Sequence, residues 1–293
     1  MTVAAGTRRQ ERRPLPRRVR PVQNETTVSF VQRLAHVNHI RADELAEYLN
    51  ARMTTSGRHI NVSPQVLADA AGIHAGNLIQ ALPQLQTRPT RSGIIPAPAT
   101  SAEVRLACRR CMAGRNIFSA VTVLTWTDQN VCLRHQLWTG HGVTTIEDQA
   151  DVTGIPEVGR AQARHRRLAR HHGLWRVRDC YETAEKTIDW SSRESSSRTA
   201  RQERIRRLLA ASRTGTLRRP YDYASYYPEV VSVLSVLASP YWQRMAGSGD
   251  ADDALRFYRQ IAANGLTSGT PRENTPLRNW IVELRAAREL GSS

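Results

Sequence analysis

Two short motifs constrain this chain more than anything else in it: Cys108-Arg109-Arg110-Cys111 and, after a span of twenty residues, Cys132-Leu133-Arg134-His135. A C-x₂-C turn and a C-x₂-H turn each place two soft or borderline ligands on one bend of backbone, and the span between them lets the bends face one another across a single ion. Three of the four cysteines fall in this pattern, while Cys180 stands alone. The alternative is a set of buried, reduced thiols that behave as small hydrophobes. The spacing favours zinc held by Cys108, Cys111, Cys132 and His135. Four protein ligands leave no coordination position for substrate or water, so such a zinc is structural. His141 is the rival for the fourth position, but the C-x₂-H turn presents His135 with less adjustment of the chain. Ile117-Phe118 and Val121–Trp126 are β-branched and aromatic, which predicts a short hairpin inside a zinc ribbon spanning 104–138. That ribbon has few large apolar residues, so ligation is expected to supply much of its folding free energy.

The formal net charge of +16, with a pI near 10.9, calls for a polyanionic partner, and double-stranded DNA is the first expectation. Lys186 is the sole lysine, so a P-loop with its G-K-[ST] signature cannot exist. No H-x-E motif precedes Cys108, as a zinc deaminase would need. A nuclease built from scattered carboxylates is not excluded by sequence, although no carboxylate cluster stands out. There is no apolar run of eighteen residues, and no apolar stretch follows the Arg-rich start. A soluble, cytoplasmic protein without a membrane partner is expected, and a homodimer stays open.

Taken in order, residues 1–21 form a basic, proline-interrupted arm expected to be disordered in isolation. Apolar residues from Val28 to Ile40, and then Leu45, Ala46 and Leu49, recur at helical spacing. Ser63-Pro64 opens a helix that Gly72-Ile73 breaks before a second one over Ala75–Leu82, together a helix-turn-helix. Asn77 and Gln80 would then face base edges in the major groove, although an ordinary helical corner gives the same pattern. Residues 83–100 read as an extended connection. Thr145–Val152 predicts a short helix, and Pro156–His172 a long one, making a second helix-turn-helix candidate. The long helix sets Arg160, Arg164, Arg167 and His171 in one basic row suited to phosphates. A linker is expected over 174–197, with a serine-rich hinge at its end. A C-terminal helical domain follows over 198–293, in which Pro228 opens a buried helix and the tyrosines from Tyr221 to Tyr227 sit at the core edge.

The order of these pieces resembles the TniQ family of bacterial transposition proteins. The matching residues are Leu15-Pro16-Arg17-Arg18-Val19-Arg20-Pro21, Glu25-Thr26-Thr27-Val28-Ser29-Phe30, Arg33-Leu34-Ala35-His36-Val37-Asn38 and the second knuckle Val131–His135. The resemblance implies a TniQ-like domain over 22–173 and the same four zinc ligands. It also implies an adaptor that selects the transposition target beside an AAA+ ATPase and a transposase. Some members carry a second zinc site, but Cys180 lacks a companion for one. The expected fold is mainly α, with helix-turn-helix units flanking a small zinc ribbon and a helical domain after them. The expected function is nonenzymatic DNA-binding targeting. The alternatives are a helix-turn-helix transcription regulator and a nucleic-acid-processing enzyme.

Overall fold

The computed structural model describes residues 13–53, 60–90, 93–96, 102–192, 198–212, 219–264 and 275–291. Residues 193–197 of the serine-rich hinge expected over Ser191–Ser197, and the first twelve residues of the basic arm, lie outside them. The chain is mainly α and divides into two units: residues up to Ala107 with Arg115–Thr125, and Cys108–Gly114 with everything from Trp126 onward.

In the first unit, α1 (Thr27–Val37) starts where the Thr26 hydroxyl accepts from the Ser29 amide at 3.2 Å, satisfying one of the orphan donors at the helix start. It buries Phe30, Val31, Leu34 and Ala35 at helical spacing. Helix α2 (Ala42–Tyr48) adds Leu45 and Ala46 to the same core. A two-stranded ribbon, β1 (Arg52–Met53) with β2 (Ile60–Asn61), leads to α3 (Pro64–Ala71) and α4 (Ala75–Ala81). Between these helices Gly72 adopts φ 63°, a left-handed helix end that a side chain would strain. Beyond α4 the expected extended connection holds a 3₁₀ turn at Pro83–Leu85 and the hairpin β3 (Thr87–Thr90) with β4 (Gly93–Pro96).

The strand between the knuckles forms, but with a different partner from the one expected. Strand β6 (Thr122–Thr125) pairs antiparallel with β5 (Glu103–Leu106), upstream of Cys108, and Val123 bridges Glu25. The Thr26 amide donates to the Thr122 carbonyl at 2.9 Å and the Leu124 amide to the Asn24 carbonyl at 2.7 Å, so the N-terminal segment fixes this strand. Ile117 and Phe118 belong to no strand. Within the described part of the basic arm, the Leu15 amide donates to the Ala70 carbonyl at 2.8 Å and Val19 is buried, so residues 13–21 are docked on the first core.

The second unit holds α5 (Arg109–Ala113), the pair β7 (Val131–Cys132) with β8 (Leu137–Trp138), and then α6 (Pro156–His172), α7 (Leu174–Ser192), α8 (Arg198–Ala210), α9 (Arg219–Leu237), α10 (Pro240–Gly247), α11 (Ala251–Ala263) and α12 (Pro276–Gly291). Three expectations change here. The helix expected over 145–152 is one 3₁₀ turn at Ile146–Asp148, because the Asp148 carboxylate accepts from both the Thr144 and the Thr145 amides and closes the turn on itself. The linker expected over 174–197 is instead α7 as far as Ser192, with Val177, Cys180, Tyr181, Ala184 and Ile188 buried along one face. Helix α9 starts at Arg219, so Pro228 sits inside it rather than opening it. An interior proline costs about 3 kcal/mol. Full burial of Val230, Val231, Val233 and Leu234 outweighs this, at about 1.5–3 kcal/mol per side chain. Residues of α6, α7, α9, α11 and α12 share one core, so the helices after residue 198 are not a domain apart from α6.

Candidate metal centre and nucleic-acid face

Each knuckle is built by local backbone geometry. Cys108 occupies the position just before α5, and the Met112 amide donates to its carbonyl at 3.0 Å, so Cys111 follows one turn later on the same side. On the second knuckle the His135 amide donates to the Cys132 carbonyl at 3.2 Å, and Gln136, at φ 48°, lets the chain return into β8. Gln162, fully buried on α6, holds this knuckle from behind: its Oε1 accepts from the amides of Asn130 and Val131, both at 2.8 Å. Arg110 braces the two knuckles together, donating to the His135 carbonyl at 3.0 Å and to Asp151 at 2.8 Å.

The four ligand atoms lie within 4.8 Å of one another. Metal–sulfur bonds of about 2.3 Å and metal–nitrogen bonds of about 2.0 Å at tetrahedral angles require S···S edges of about 3.8 Å and S···N edges of about 3.5 Å. Four of the six edges are 3.7 Å for Cys111–Cys132 and 3.6, 3.2 and 3.7 Å from His135 Nδ1 to Cys108, Cys111 and Cys132, and the other two are within 4.8 Å. The donor set therefore fits a tetrahedral zinc-sized ion with Nδ1 as the nitrogen ligand, and all four positions are filled by protein. The thiols polarise one another. The hydrogen bond from Cys108 lowers the Cys132 thiol to about 4, against the opposing effect of burial. Cys108 is pushed up, first by that same bond and then by burial, and burial also raises Cys111.

His141 is placed elsewhere. Its Nδ1 lies 3.0 Å from a Glu185 carboxylate oxygen, and its ring meets Tyr223 edge-on. Cys180 is buried in the helical core, where loss of solvent pushes its thiol up to about 12.

The residues expected at nucleic acid divide between two surfaces. On α4 the His74 ring nitrogen accepts from the Gly76 amide at 3.2 Å and starts the helix; Leu78 and Ala81 point into the core, and Asn77 and Gln80 are exposed. On α6 Arg160, Arg164, Arg167 and His171 are all exposed, opposite the buried Val158, Ala161, Gln162, His165 and Ala169. One nitrogen of Arg164 donates to the Ser235 hydroxyl at 2.7 Å, which holds the row in place beside α9.

Sequence reasoning missed a heavily hydrogen-bonded buried ion pair, Glu25 with Arg33. Glu25 is fully buried and accepts from Arg33 Nε at 2.8 Å, Arg33 Nη2 at 2.7 Å, the Ser29 hydroxyl at 2.9 Å and the Val22 amide at 2.9 Å. Both residues fall in segments that carry the family resemblance, and the signal for their pairing is the eight-residue spacing between an acid just before a helix and an arginine two turns into it.

With this geometry in hand, residues 16–138 match the family described as TniQ. Over those residues the chain is similar to TniQ proteins. The match takes in α1 to α4, both knuckles and the Glu25–Arg33 pair, and it supports a role associated with transposition. No curated protein and no solved structure matches the chain. Among the described residues no helix is long and apolar enough to cross a membrane.

Proposed function

We propose that this TniQ-domain protein is a nonenzymatic, cytoplasmic DNA-binding adaptor that helps select the target in DNA transposition, working beside an AAA+ ATPase and a transposase. The observation that carries this reading is the family match over 16–138 together with a ligand set that closes on itself. A metal held by Cys108, Cys111, Cys132 and His135 would be zinc and would supply shape, joining α5 to the β7–β8 turn, and no reacting group. The net charge of +16 supports duplex DNA as a partner. In this reading Arg160, Arg164, Arg167 and His171 contact phosphates, while Asn77 and Gln80 of α4 read base edges. The test is affinity purification of the full-length protein from cells that also express the ATPase and the transposase of the same element. Retention of the ATPase on the TniQ-domain protein is expected. A protein that binds promoter DNA, retains neither partner and leaves insertion sites unchanged when deleted would instead be a transcription regulator.

A further inference from the structure

The first unit contains a cavity of about 430 Å³ walled by Arg18, Arg20, Arg115, Val37, Ile117 and Phe118, and no carboxylate takes part in the wall. Arg33 also reaches it, but Glu25 already matches that charge. Among the described residues, no acceptor or carboxylate engages the guanidinium groups of Arg18, Arg20 or Arg115. Arg18 lies over the α3–α4 turn: a Cβ placed on Gly72 would meet its Nε at 2.9 Å, so the bare glycine makes room for this arginine. The loop carrying the other side of the wall turns through Asn116 at φ 58° and presents Phe118 with 76% of its surface exposed. The other two phenylalanines, Phe30 and Phe257, are fully buried.

We infer that this cavity holds one nucleotide of a single-stranded nucleic acid, its base stacked on Phe118 and its phosphates among Arg18, Arg20 and Arg115. The volume lies in the range of small-ligand sites. Planar guanidinium forks match phosphate oxygens, and an exposed ring offers a face to any base. A base within a duplex is already stacked on its neighbours and cannot take that face. An acidic peptide would satisfy the arginines and leave the ring bare. The site is separate from the duplex contacts proposed above, because neither α4 nor α6 contributes to the cavity.

The experiment measures anisotropy of a labelled fifteen-residue oligothymidine, and of a labelled duplex, on the full-length protein with Phe118→Ala, Phe118→Trp and Arg115→Ala. Both side chains are exposed, so thermal melting should not change. Phe118→Ala should weaken single-strand binding by about 5- to 150-fold, the usual cost of one lost base stack. Phe118→Trp should restore it. Arg115→Ala should reduce the slope of log affinity against log salt by about 0.7. Duplex affinity should stay at the parent's value in all three variants. Parent-like binding of oligothymidine by Phe118→Ala overturns the inference, as does an equal loss on duplex. Oligoglutamate that displaces the strand equally well from the parent and from Phe118→Ala also overturns it, and would make the cavity a peptide site. A parent that does not bind duplex but shows these single-strand effects would count against the adaptor reading and leave this site standing.

Discussion

Removing the Glu25 carboxylate should be among the most damaging single substitutions in the TniQ domain. The carboxylate is inaccessible to solvent and accepts four hydrogen bonds, two of them from an arginine whose side chain is only 7% exposed. Glu25→Ala leaves the Arg33 guanidinium buried with only the Arg20 carbonyl, at 3.0 Å, as acceptor. Breaking one side of a buried pair costs about 3–5 kcal/mol, because the remaining charge is desolvated without compensation. Against a domain stability of about 5–15 kcal/mol this is a large fraction. All six tryptophans lie at position 126 or beyond, so their fluorescence is blind to unfolding of α1. Hydrogen exchange of the α1 amides, read by mass spectrometry on the full chain, is the suitable assay, and it should quicken by roughly two to four decades. The double variant Glu25→Leu with Arg33→Met removes both charges at similar volume and should recover most of the protection, since apolar replacements of buried pairs are often neutral or better. Parent-like exchange in Glu25→Ala, or a double variant no better than the single one, would refute the reasoning.

Other consequences are equally direct. His135→Ala should lose the metal, whereas His141→Ala should retain one equivalent, because His141 faces Glu185; elemental analysis of the purified variants decides this. A chelator should loosen the amides of 108–114 and 131–138, as expected where ligation supplies folding free energy, and hydrogen exchange before and after metal removal reads it. Gly72→Ala should destabilise the α3–α4 turn by about 1–2 kcal/mol, since a side chain there must adopt φ 63° and push against Arg18; exchange of the α3 and α4 amides measures it. Burial raises the Asp148 carboxyl, but hydrogen bonds from Thr144 and Thr145 outweigh it and leave the group below its ordinary value of 3.8. Because the folded-state value is the lower one, the stabilisation is full above the unfolded value and disappears as pH falls through the folded one. The 144–148 turn should therefore open only below about pH 4, which carboxyl NMR titration would detect.

The cluster of Cys108, Cys111, Cys132 and His135 was legible because its information is local: two tight turns, each with its two residues three apart. Helices α1, α3, α4 and α6 were legible for a similar reason, since caps, prolines and apolar stripes lie within a turn or two of what they control. The partner of β6 was not, because Thr122–Thr125 is fixed by residues about a hundred positions earlier, at Asn24 and Thr26, and by a strand on the far side of Cys108. Helix α7 looks like linker in the sequence because exposed Arg176, Asp179 and Glu182 surround a buried stripe made partly of the small Cys180 and Ala184. Propensity makes Pro228 a helix start, and the burial of both flanks overrides it. Gln162 carries no pattern at all, since a glutamine on a helix acquires its role only from what folds around it, and Phe118 belongs to a β-branched and aromatic pattern that forms a strand only from Thr122 onward.

Duplex binding as a function of salt tests the proposed role most directly. Replacing Arg160, Arg164 and Arg167 together by alanine removes three exposed guanidinium groups from α6. At about 0.9 per phosphate contact, the slope of log affinity against log salt should fall by about 2.7 relative to the parent. A triple variant that keeps the parent's slope, or a parent with no salt dependence on duplex DNA, would contradict the account.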